Sequence, residues 1–323
     1  MIASLFPKGI VMKSLSARLG ALLLAFGASS AAWSAQPLLT PAELDAVRQQ
    51  PSVRVIDIRP PDAYAAGHIP GAVSAPYGQW RGPADNPGQL PPLDRLTRLV
   101  RGLGVDQGTH AVVVSSGADG TDFGASARVY WTLKYLGLKE LSVLNGGLKA
   151  WTDAGLPRDQ AAPSVAATAF EPKLDESIIA TTAQVAAQVG NPQVRLVDAR
   201  PLDFYLGKVK APTAQVPGTI QGAVNVENGR WFKPGTSIFV SSDEARKIAA
   251  ELLPDPKSET ISFCNTGHWA ATDWFALSEV VGQKNVRLYP ESMAEWSQDP
   301  NRPMEHVPGR GSQILDKLKG VFG

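Results

Sequence analysis

Short apolar runs of strand length alternate along the chain with longer stretches in which apolar residues recur at helical spacing. The run Val53–Ile58, for example, is followed by a stretch in which Leu93, Leu96 and Leu99 are evenly spaced. Strands and helices that alternate in this way are typical of a mainly parallel sheet covered by helices on both faces. The pattern therefore predicts an α/β fold.

The pattern occurs twice, which indicates a duplicated domain. A capping box, a strand that ends in Asp-x-Arg-Pro and a glycine-rich segment that ends in Gly-Ala-Val recur in the same order. The matched pairs are Thr40–Glu43 with Thr181–Gln184, Val53–Pro60 with Val194–Pro201, and Gly67–Val73 with Gly218–Val224. The second copy has an insertion at Lys208–Pro217 before the last segment. A repeat of this length is a domain and not a solenoid unit.

The duplication predicts how the chain is divided into segments. Two α/β domains, residues 36–157 and 177–300, are joined by residues 158–176, which are rich in Ala, Pro, Ser and Thr and are typical of a linker. Residues 301–323 form a tail with weak amphipathic character. Residues 1–35 are of a different kind.

The N-terminus has the layout of a secretory signal peptide. Lys13 and Arg18 precede the apolar stretch Leu19–Phe26, which is followed by small residues. This stretch is too short to span a bilayer, since a spanning helix needs about 20 apolar residues. We therefore expect a periplasmic protein without a membrane anchor after cleavage. Met12 gives a more typical signal peptide than Met1, so either residue can be the start.

Composition excludes several classes of partner. Lysine and arginine total 31, aspartate and glutamate total 30, and the two signs are interspersed, so neither nucleic acid nor a membrane surface is indicated. The single cysteine and four histidines have no paired spacing typical of a metal site, and no glycine-rich nucleotide loop is present. We expect no metal and no cofactor. An exported chain with one cysteine cannot form an internal disulfide.

That cysteine, Cys264, lies between an apolar strand-like run and a helix-like one. At such a junction the free N–H groups and the dipole of the helix favour thiolate over thiol. The short turn from Cys264 to Trp269 contains Gly267, and its successive N–H groups can point inward as an anion-binding nest around the sulfur. Taken alone, a lone cysteine is more often a buried small apolar residue.

The first copy serves as an internal comparison. Alignment forward from the strand places Ser116 opposite Cys264, and alignment backward from the helix places Asp119 there. Neither residue can act as a sulfur nucleophile. The duplication thus predicts a catalytic second domain and a first domain that acts as a scaffold.

A cysteine phosphatase is the natural alternative, because it uses a similar cradle. It needs an arginine about six residues after the cysteine to bind phosphate with two hydrogen bonds. Ala270 and Ala271 occupy this region, so phosphatase activity is not supported.

The chain resembles the tandem-domain rhodanese sulfurtransferases of the thiosulfate or 3-mercaptopyruvate type. The resemblance rests on the two strand ends Asp57–Arg59 and Asp198–Arg200, on Gly67–Val73, on the Asn-Gly-Gly-x-x-Ala-Trp turn at 145–151 and on the Cys-x-x-Gly loop at 264–267. It implies two rhodanese folds, with an inactive N-terminal domain and a catalytic C-terminal domain.

The resemblance also implies the chemistry. Cys264 would attack the outer sulfur of a small sulfur-containing anion such as thiosulfate, release sulfite and hold a persulfide. Cyanide or a thiol would then accept the sulfur. The N–H groups of Asn265 to Ala270 could stabilise the anionic persulfide. A 3-mercaptopyruvate-specific enzyme and a non-catalytic carrier of sulfane sulfur are the alternatives.

Seven residues are predicted to bind the donor. They are Asn265, Thr266, Gly267, His268, Trp269, Ala270 and Arg230. His268 either steers the donor anion and transfers protons or caps the loop, and Trp269 is expected to be a wall of the site. Thiosulfate-specific family members often have basic residues after the cysteine and an arginine where Phe204 stands here, so the donor is left open.

Other recurring residues are predicted to be structural. Asp57 with Arg59 and Asp198 with Arg200 occur in both copies, including the one without a cysteine, and should hold the strand ends by ion pairs or hydrogen bonds. His68 is expected to be structural. Two tryptophans of the closing helices, Trp151 and Trp296, should pack in the core.

Overall fold

The computed structural model describes residues 1–2, 35–253, 255 and 258–309. Nearly all of the predicted signal peptide and most of the predicted tail lie outside the described residues. Within the described ranges, no helix is both long and apolar enough to cross a membrane.

Strands and helices alternate through both halves of the repeat. In the first half they are β1 (Leu38–Leu39), α1 (Pro41–Val47), β2 (Val53–Asp57), α2 (Pro61–Ala65), β3 (Val73–Ser74), α3 (Leu93–Gly102), β4 (His110–Val114), α4 (Gly120–Tyr135), β5 (Leu141–Leu144) and α5 (Gly147–Asp153). Both predicted capping boxes form, with Thr40 opening α1 and Thr181 opening the matching helix of the second half.

The second half repeats this order. Its elements are α6 (Thr182–Gln188), β6 (Val194–Asp198), α7 (Leu202–Tyr205), β7 (Thr219–Ile220), β8 (Val224–Asn225), α8 (Ser242–Leu252), β9 (Glu259–Phe263), α9 (Trp269–Trp274), β10 (Val286–Leu288), α10 (Ser292–Trp296) and β11 (Met304–Glu305). A π-helical segment, Phe275–Val281, continues α9, and short 3-10 helices form at Tyr77–Trp80, Glu176–Ile178 and Asn228–Trp231.

Each half is built on a parallel sheet, as predicted. In the part of the chain that is described, the first sheet has the order β1-β5-β4-β2-β3 and the second has the order β10-β9-β6-β8. An isolated parallel bridge between Ile179 and Leu288 takes the place that β1 has in the first sheet. The short strands β7 and β11 pair antiparallel.

Helices cover both faces of each sheet because neighbouring strand residues point to opposite sides. In the first half, Val55 packs with Leu44 and Trp151 on the outer face. Ile56 belongs instead to a core with Val100 that continues into the second half. The outer face of the second sheet has its own cluster. The α/β prediction is therefore confirmed.

The two halves share the inner core, where helix α4 meets the helix that follows the cysteine. Phe123 of α4 lies 5.2 Å from the ring of Phe232, 5.4 Å from that of Phe239 and 5.6 Å from that of Phe275. Because aromatic rings bury large apolar areas, this contact favours a fixed arrangement of the two halves. The loop after β9 thus faces residues of the first half.

The Asp-x-Arg strand ends form the buried ion pairs that were predicted. The guanidinium of Arg59 donates to both carboxylate oxygens of Asp57 and to the carbonyl of Gly67. Arg200 does the same with Asp198 and the carbonyl of Gly218. A buried charge needs such pairing, so these residues hold the strand ends in both halves.

The other residues that were predicted to be structural lie in the core. His68 is buried, and its ring stacks on Tyr64 with centroids 3.8 Å apart. Trp151 and Trp296 are fully buried. Residues of the predicted linker lie along the first half, where the N–H of Thr168 donates to the carbonyl of Arg101.

Candidate active site

Cys264 directly follows β9 and precedes α9, at the carboxyl end of a central strand, where the sequence places it. Ligands bind at such strand ends in parallel α/β folds. The residue is 1% exposed. Its N–H donates to the hydroxyl of Ser292 at 3.0 Å, and its carbonyl accepts from the N–H of Met293 at 3.1 Å.

Strand register identifies Ser115 as the counterpart of Cys264. Phe263 pairs with Asp198 as Val114 pairs with Asp57, so the residue after each is equivalent. The two sequence alignments, to Ser116 and to Asp119, were therefore wrong. The forward alignment started one residue too late along the strand, and Asp119 is the N-cap of α4.

The cradle of the first half holds a carboxylate of its own. Asp122 accepts hydrogen bonds from the N–H of Gly117 at 2.6 Å, from the hydroxyl of Ser116 at 2.7 Å and from the N–H of Ser116 at 3.3 Å. An internal anion thus takes the donors that follow β4. Together with Ser115 in place of the cysteine, this fits the scaffold role predicted for the first half.

The cysteine loop leaves most of its N–H groups available. Gly267 has a φ of +66°, which favours glycine, and an added Cβ would collide with the guanidinium of Arg128 and the carbonyl of Pro290. Within the described residues, five loop N–H groups donate no hydrogen bond to the protein: those of Asn265, Thr266, His268, Trp269 and Ala270. The predicted cradle needs one correction, because the N–H of Gly267 donates to Ser292 at 3.1 Å.

Two arginines of the first half hold the outer side of the loop. The guanidinium of Arg81 donates to the carbonyl of Thr266 at 2.8 Å, and that of Arg128 donates to the carbonyl of Gly267 at 3.1 Å. Sequence reasoning missed both. Arg128 left a signal in the sequence, since it interrupts the apolar part of a helix, and the structure shows that it is fully buried.

Arg128 keeps a positive charge beside the loop. Burial lowers the pKa of Arg128 to about 10, and the like charge of Arg81 acts in the same direction. The acidic groups of Tyr77, Glu291 and Cys264 act in the opposite direction where they are ionised. A pKa of about 10 leaves Arg128 protonated at neutral pH, so it favours anions in its neighbourhood.

His268 joins the loop to the first half through both ring nitrogens. Nε2 lies 2.6 Å from the carbonyl of Thr121, and Nδ1 lies 2.9 Å from the hydroxyl of Tyr77. A carbonyl only accepts, so Nε2 carries the proton and Nδ1 accepts from Tyr77. Burial, together with the charge of Arg81, lowers the pKa of His268 to about 4. At neutral pH the ring is uncharged and acts as a link between the halves.

Aromatic rings flank the outer end of the loop. The indole N–H of Trp269 donates to the hydroxyl of Thr121 at 3.2 Å, and the ring lies 5.9 Å from that of Phe204. Arg200 lies over the face of Phe204 and also donates to the side-chain oxygen of Asn265 at 3.3 Å. The strand-end ion pair thereby reaches the loop, and Phe204 provides an apolar surface.

Arg230 is not brought to the loop. Its side chain is 52% exposed, and its guanidinium lies 3.7 Å from the carboxylate of Glu251. The structure gives it no contact with the cysteine loop among the described residues. In the same part of the chain, no group of three or more His, Cys, Asp or Glu side chains could hold a metal ion.

Comparison with known proteins is consistent with this arrangement. The model of the rhodanese-like domain matches residues 40–154 and 181–299. A putative thiosulfate sulfurtransferase of Mycolicibacterium smegmatis is 33% identical over 258 residues, 75% of this chain and 87% of its own. A probable 3-mercaptopyruvate sulfurtransferase of Pseudomonas aeruginosa is 30% identical over 294 residues, 84% of this chain and 98% of its own.

A solved structure gives the same result for the fold. The crystal structure of SseA from Escherichia coli, described in terms of the rhodanese fold of 3-mercaptopyruvate sulfotransferases, superposes with a TM-score of 0.70 at 25% identity. The match covers 80% of this chain and 98% of SseA. With two matched domains that span most of the described residues, the chain belongs to the rhodanese-like family.

Proposed function

We propose that this protein is a sulfurtransferase in which Cys264 takes sulfane sulfur from a small anionic donor and passes it to a thiophilic acceptor. The observation that carries this proposal is the loop itself. A single cysteine lies at the carboxyl end of a central strand, in a turn where five N–H groups donate no hydrogen bond within the described residues, and two arginines hold that turn from outside. Relatives named as thiosulfate and 3-mercaptopyruvate sulfurtransferases support it.

The first step is attack of the Cys264 thiolate on the outer sulfur of thiosulfate. A new S–S bond forms, the S–S bond of the donor breaks, and sulfite leaves with the electron pair. The product is an anionic persulfide, which N–H groups such as those of Thr266 and His268 can stabilise. No proton needs to move in this step.

The second step returns the cysteine to its starting state. Cyanide, or a thiolate, attacks the terminal sulfur of the persulfide, and the S–S bond to Cys264 breaks. Thiocyanate or a new persulfide leaves, and the thiolate of Cys264 is regenerated. The fixed positive charge of Arg128 favours the anion at both stages.

Thiosulfate is the donor we propose, and 3-mercaptopyruvate is the alternative. Two features of this chain differ from the pattern of thiosulfate-specific family members. Phe204 stands where thiosulfate-specific family members often have an arginine, and Asn265 and Thr266 follow the cysteine where basic residues are common. In this chain the nearby cations instead come from the first half, as Arg81 and Arg128.

A thiocyanate assay tests the proposal. Purified protein is first treated with thiosulfate or 3-mercaptopyruvate alone and its intact mass is measured, and cyanide is then added and thiocyanate is measured. We expect turnover with at least one donor and the gain of one sulfur atom on Cys264. A persulfide without thiocyanate from either donor would favour the non-catalytic carrier. Turnover by Cys264→Ser would reject Cys264 as the nucleophile.

We further propose that the protein acts in the periplasm, because the first residues have the layout of a signal peptide. Cell fractionation followed by N-terminal sequencing tests this. A mature protein that begins between Trp33 and Gln36 supports export. A cytoplasmic protein that retains the whole leader contradicts it.

A further inference from the structure

Ser292 has a backbone conformation that serine rarely adopts. It opens α10 with a φ of +52° and is fully buried. Side chains other than glycine avoid this region, so such a residue persists only where its surroundings hold it. Residues held in this way cluster at functional sites.

The hydroxyl of Ser292 binds both ends of the cysteine loop. It accepts hydrogen bonds from the N–H of Cys264 at 3.0 Å and from the N–H of Gly267 at 3.1 Å, and it donates to the carbonyl of Tyr289 at 2.8 Å. These three bonds use its one proton and both lone pairs. The hydroxyl is therefore fully occupied and is not free to act as an acid or base.

The first half has the same turn without the hydroxyl. The N–H of Leu148 donates to the carbonyl of Ser115, just as the N–H of Met293 donates to the carbonyl of Cys264. The residue before each donor is therefore equivalent, and Gly147 is the counterpart of Ser292. Its φ of +58° is nearly the same. A Cβ on Gly147 would lie 2.7 Å from the carbonyl oxygen of Ser115, too close for a side chain.

The peptide unit between Thr266 and Gly267 is held at both ends. Its carbonyl accepts from Arg81 at 2.8 Å, and its N–H donates to Ser292. Hydrogen bonds at both ends of one peptide unit polarise it and fix its plane. The peptides on either side, which carry the N–H groups of Thr266 and His268, are joined directly to this fixed unit.

We infer that Ser292 is a positioning residue for sulfur transfer. By tying the N–H groups of Cys264 and Gly267 to one oxygen, it closes the loop into a ring that leaves the N–H groups of Thr266 and His268 without a bond to the described residues. The inference rests on the proposed function and adds to it the residue that shapes the anion cradle. The hydroxyl distinguishes this turn from its counterpart at Gly147.

Ser292→Gly removes the hydroxyl and keeps the backbone, since glycine adopts a positive φ readily. We expect the unfolding midpoint in urea to stay the same or rise. We expect kcat for thiocyanate formation to fall about 10- to 100-fold, because small misplacements at a reacting centre cost this much. KM for thiosulfate should change little. Alkylation of Cys264 by iodoacetamide, followed by intact mass, should become faster as the loop is released.

Two further variants separate positioning from folding. Ser292→Ala retains the strained backbone, so it should be less stable than Ser292→Gly yet lose the same kcat. Ser142→Ala removes the hydroxyl of another buried serine, one that bonds within the first half. It is expected to leave kcat and the alkylation rate of Cys264 unchanged.

The outcomes are distinct. A folded Ser292→Gly protein with kcat within about twofold of wild type overturns the inference. If wild-type protein makes no thiocyanate from either donor, the proposed function fails, and alkylation rates then decide on Ser292 alone. Faster alkylation of Cys264 in Ser292→Gly than in wild type supports the inference that Ser292 holds the loop. An equal rate overturns that inference.

Discussion

The hydroxyl of Tyr77 donates a hydrogen bond to Nδ1 of His268 across 2.9 Å, so a residue of the half without a cysteine is bonded directly to a ring in the cysteine loop. Burial raises the pKa of Tyr77 above its ordinary value, which keeps the hydroxyl protonated as a donor. Together with Arg81, Thr121 and Arg128, Tyr77 makes the first half part of the candidate active site.

Tyr77→Phe tests this link. The variant leaves Nδ1 of His268 without its donor, and we expect the free energy of unfolding to fall by about 1–2 kcal/mol. We expect kcat to fall about 3- to 10-fold, since the loop loses one of its holds on the first half. Urea unfolding and the thiocyanate assay measure the two effects.

Tyr64→Phe is the matched control. The hydroxyl of Tyr64 is also buried, but it donates to the carbonyl of Ala72 within the first half. Tyr64→Phe should lower the free energy of unfolding by a similar amount to Tyr77→Phe and leave kcat unchanged. Equal losses of kcat in both variants would contradict a specific role for Tyr77.

His268 should make stability depend on pH. Its pKa is about 4 in the folded protein, mainly because of burial, and about 6.5 in an unfolded chain. Between these values the unfolded chain binds more protons, so stability falls as the pH drops from about 6.5 to about 4. We expect a loss of about 2 kcal/mol over this window, allowing for partial exposure of the ring.

The measurement compares wild type with His268→Gln, which does not titrate. Urea unfolding at pH 7 and at pH 4.5 gives the pH-dependent loss for each protein. Other titrating groups contribute equally to both, so the difference between the two losses isolates His268. An identical loss in the variant would show that His268 does not titrate in the way that its burial implies.

Gly267→Ala separates collision from backbone strain. The new Cβ would strike Arg128 and Pro290, and the φ of +66° disfavours alanine. Gly222 has a φ of +76° with open space around it, so Gly222→Ala has the same strain and no collision. Strain alone costs about 1–2 kcal/mol of stability.

We expect both variants to lose this stability and only Gly267→Ala to lose kcat, by more than about 10-fold, because the loop must shift to admit the methyl group. Unfolding and turnover are measured on both proteins. Comparable activity in the two variants would mean that the contact between Gly267 and Arg128 does not position the loop.

Local patterns in the sequence predicted much of this molecule. The capping boxes at Thr40 and Thr181 are formed by residues three positions apart, and the pairing of Arg200 with Asp198 is equally local. Short-range contacts of this kind depend on side-chain type and spacing, which the sequence displays. The same holds for the placement of Cys264 between strand and helix.

Contacts between the two halves could not be predicted from the sequence, and the reason is physical. Tyr77 and His268 are far apart along the chain, and no periodicity relates them. The left-handed conformation of Ser292 was equally hidden, since serine carries no preference for it. Only the buried charge of Arg128, within an apolar stretch, hinted at a partner.

Arg230→Ala contrasts the sequence prediction with the structure. The sequence placed Arg230 among the donor-binding residues, whereas its guanidinium faces Glu251 on the surface. An exposed pair of this kind contributes about 0–1 kcal/mol to stability. From the structure we expect the free energy of unfolding to change by no more than about 1 kcal/mol. We expect kcat and KM for thiosulfate to stay within about twofold of wild type.

Arg128→Lys is the matched comparison, because it changes an arginine that does hold the loop. Arg128 donates to the carbonyls of Gly267 and Gly88 through two different nitrogens, and a lysine cannot reproduce this fork although it keeps the charge. We expect kcat to fall about 10-fold while KM changes little, since the loop is displaced and not the donor. Steady-state kinetics on both variants decide between the two assignments. A raised KM in Arg230→Ala with normal turnover in Arg128→Lys would restore Arg230 as the donor contact and remove Arg128 from the site.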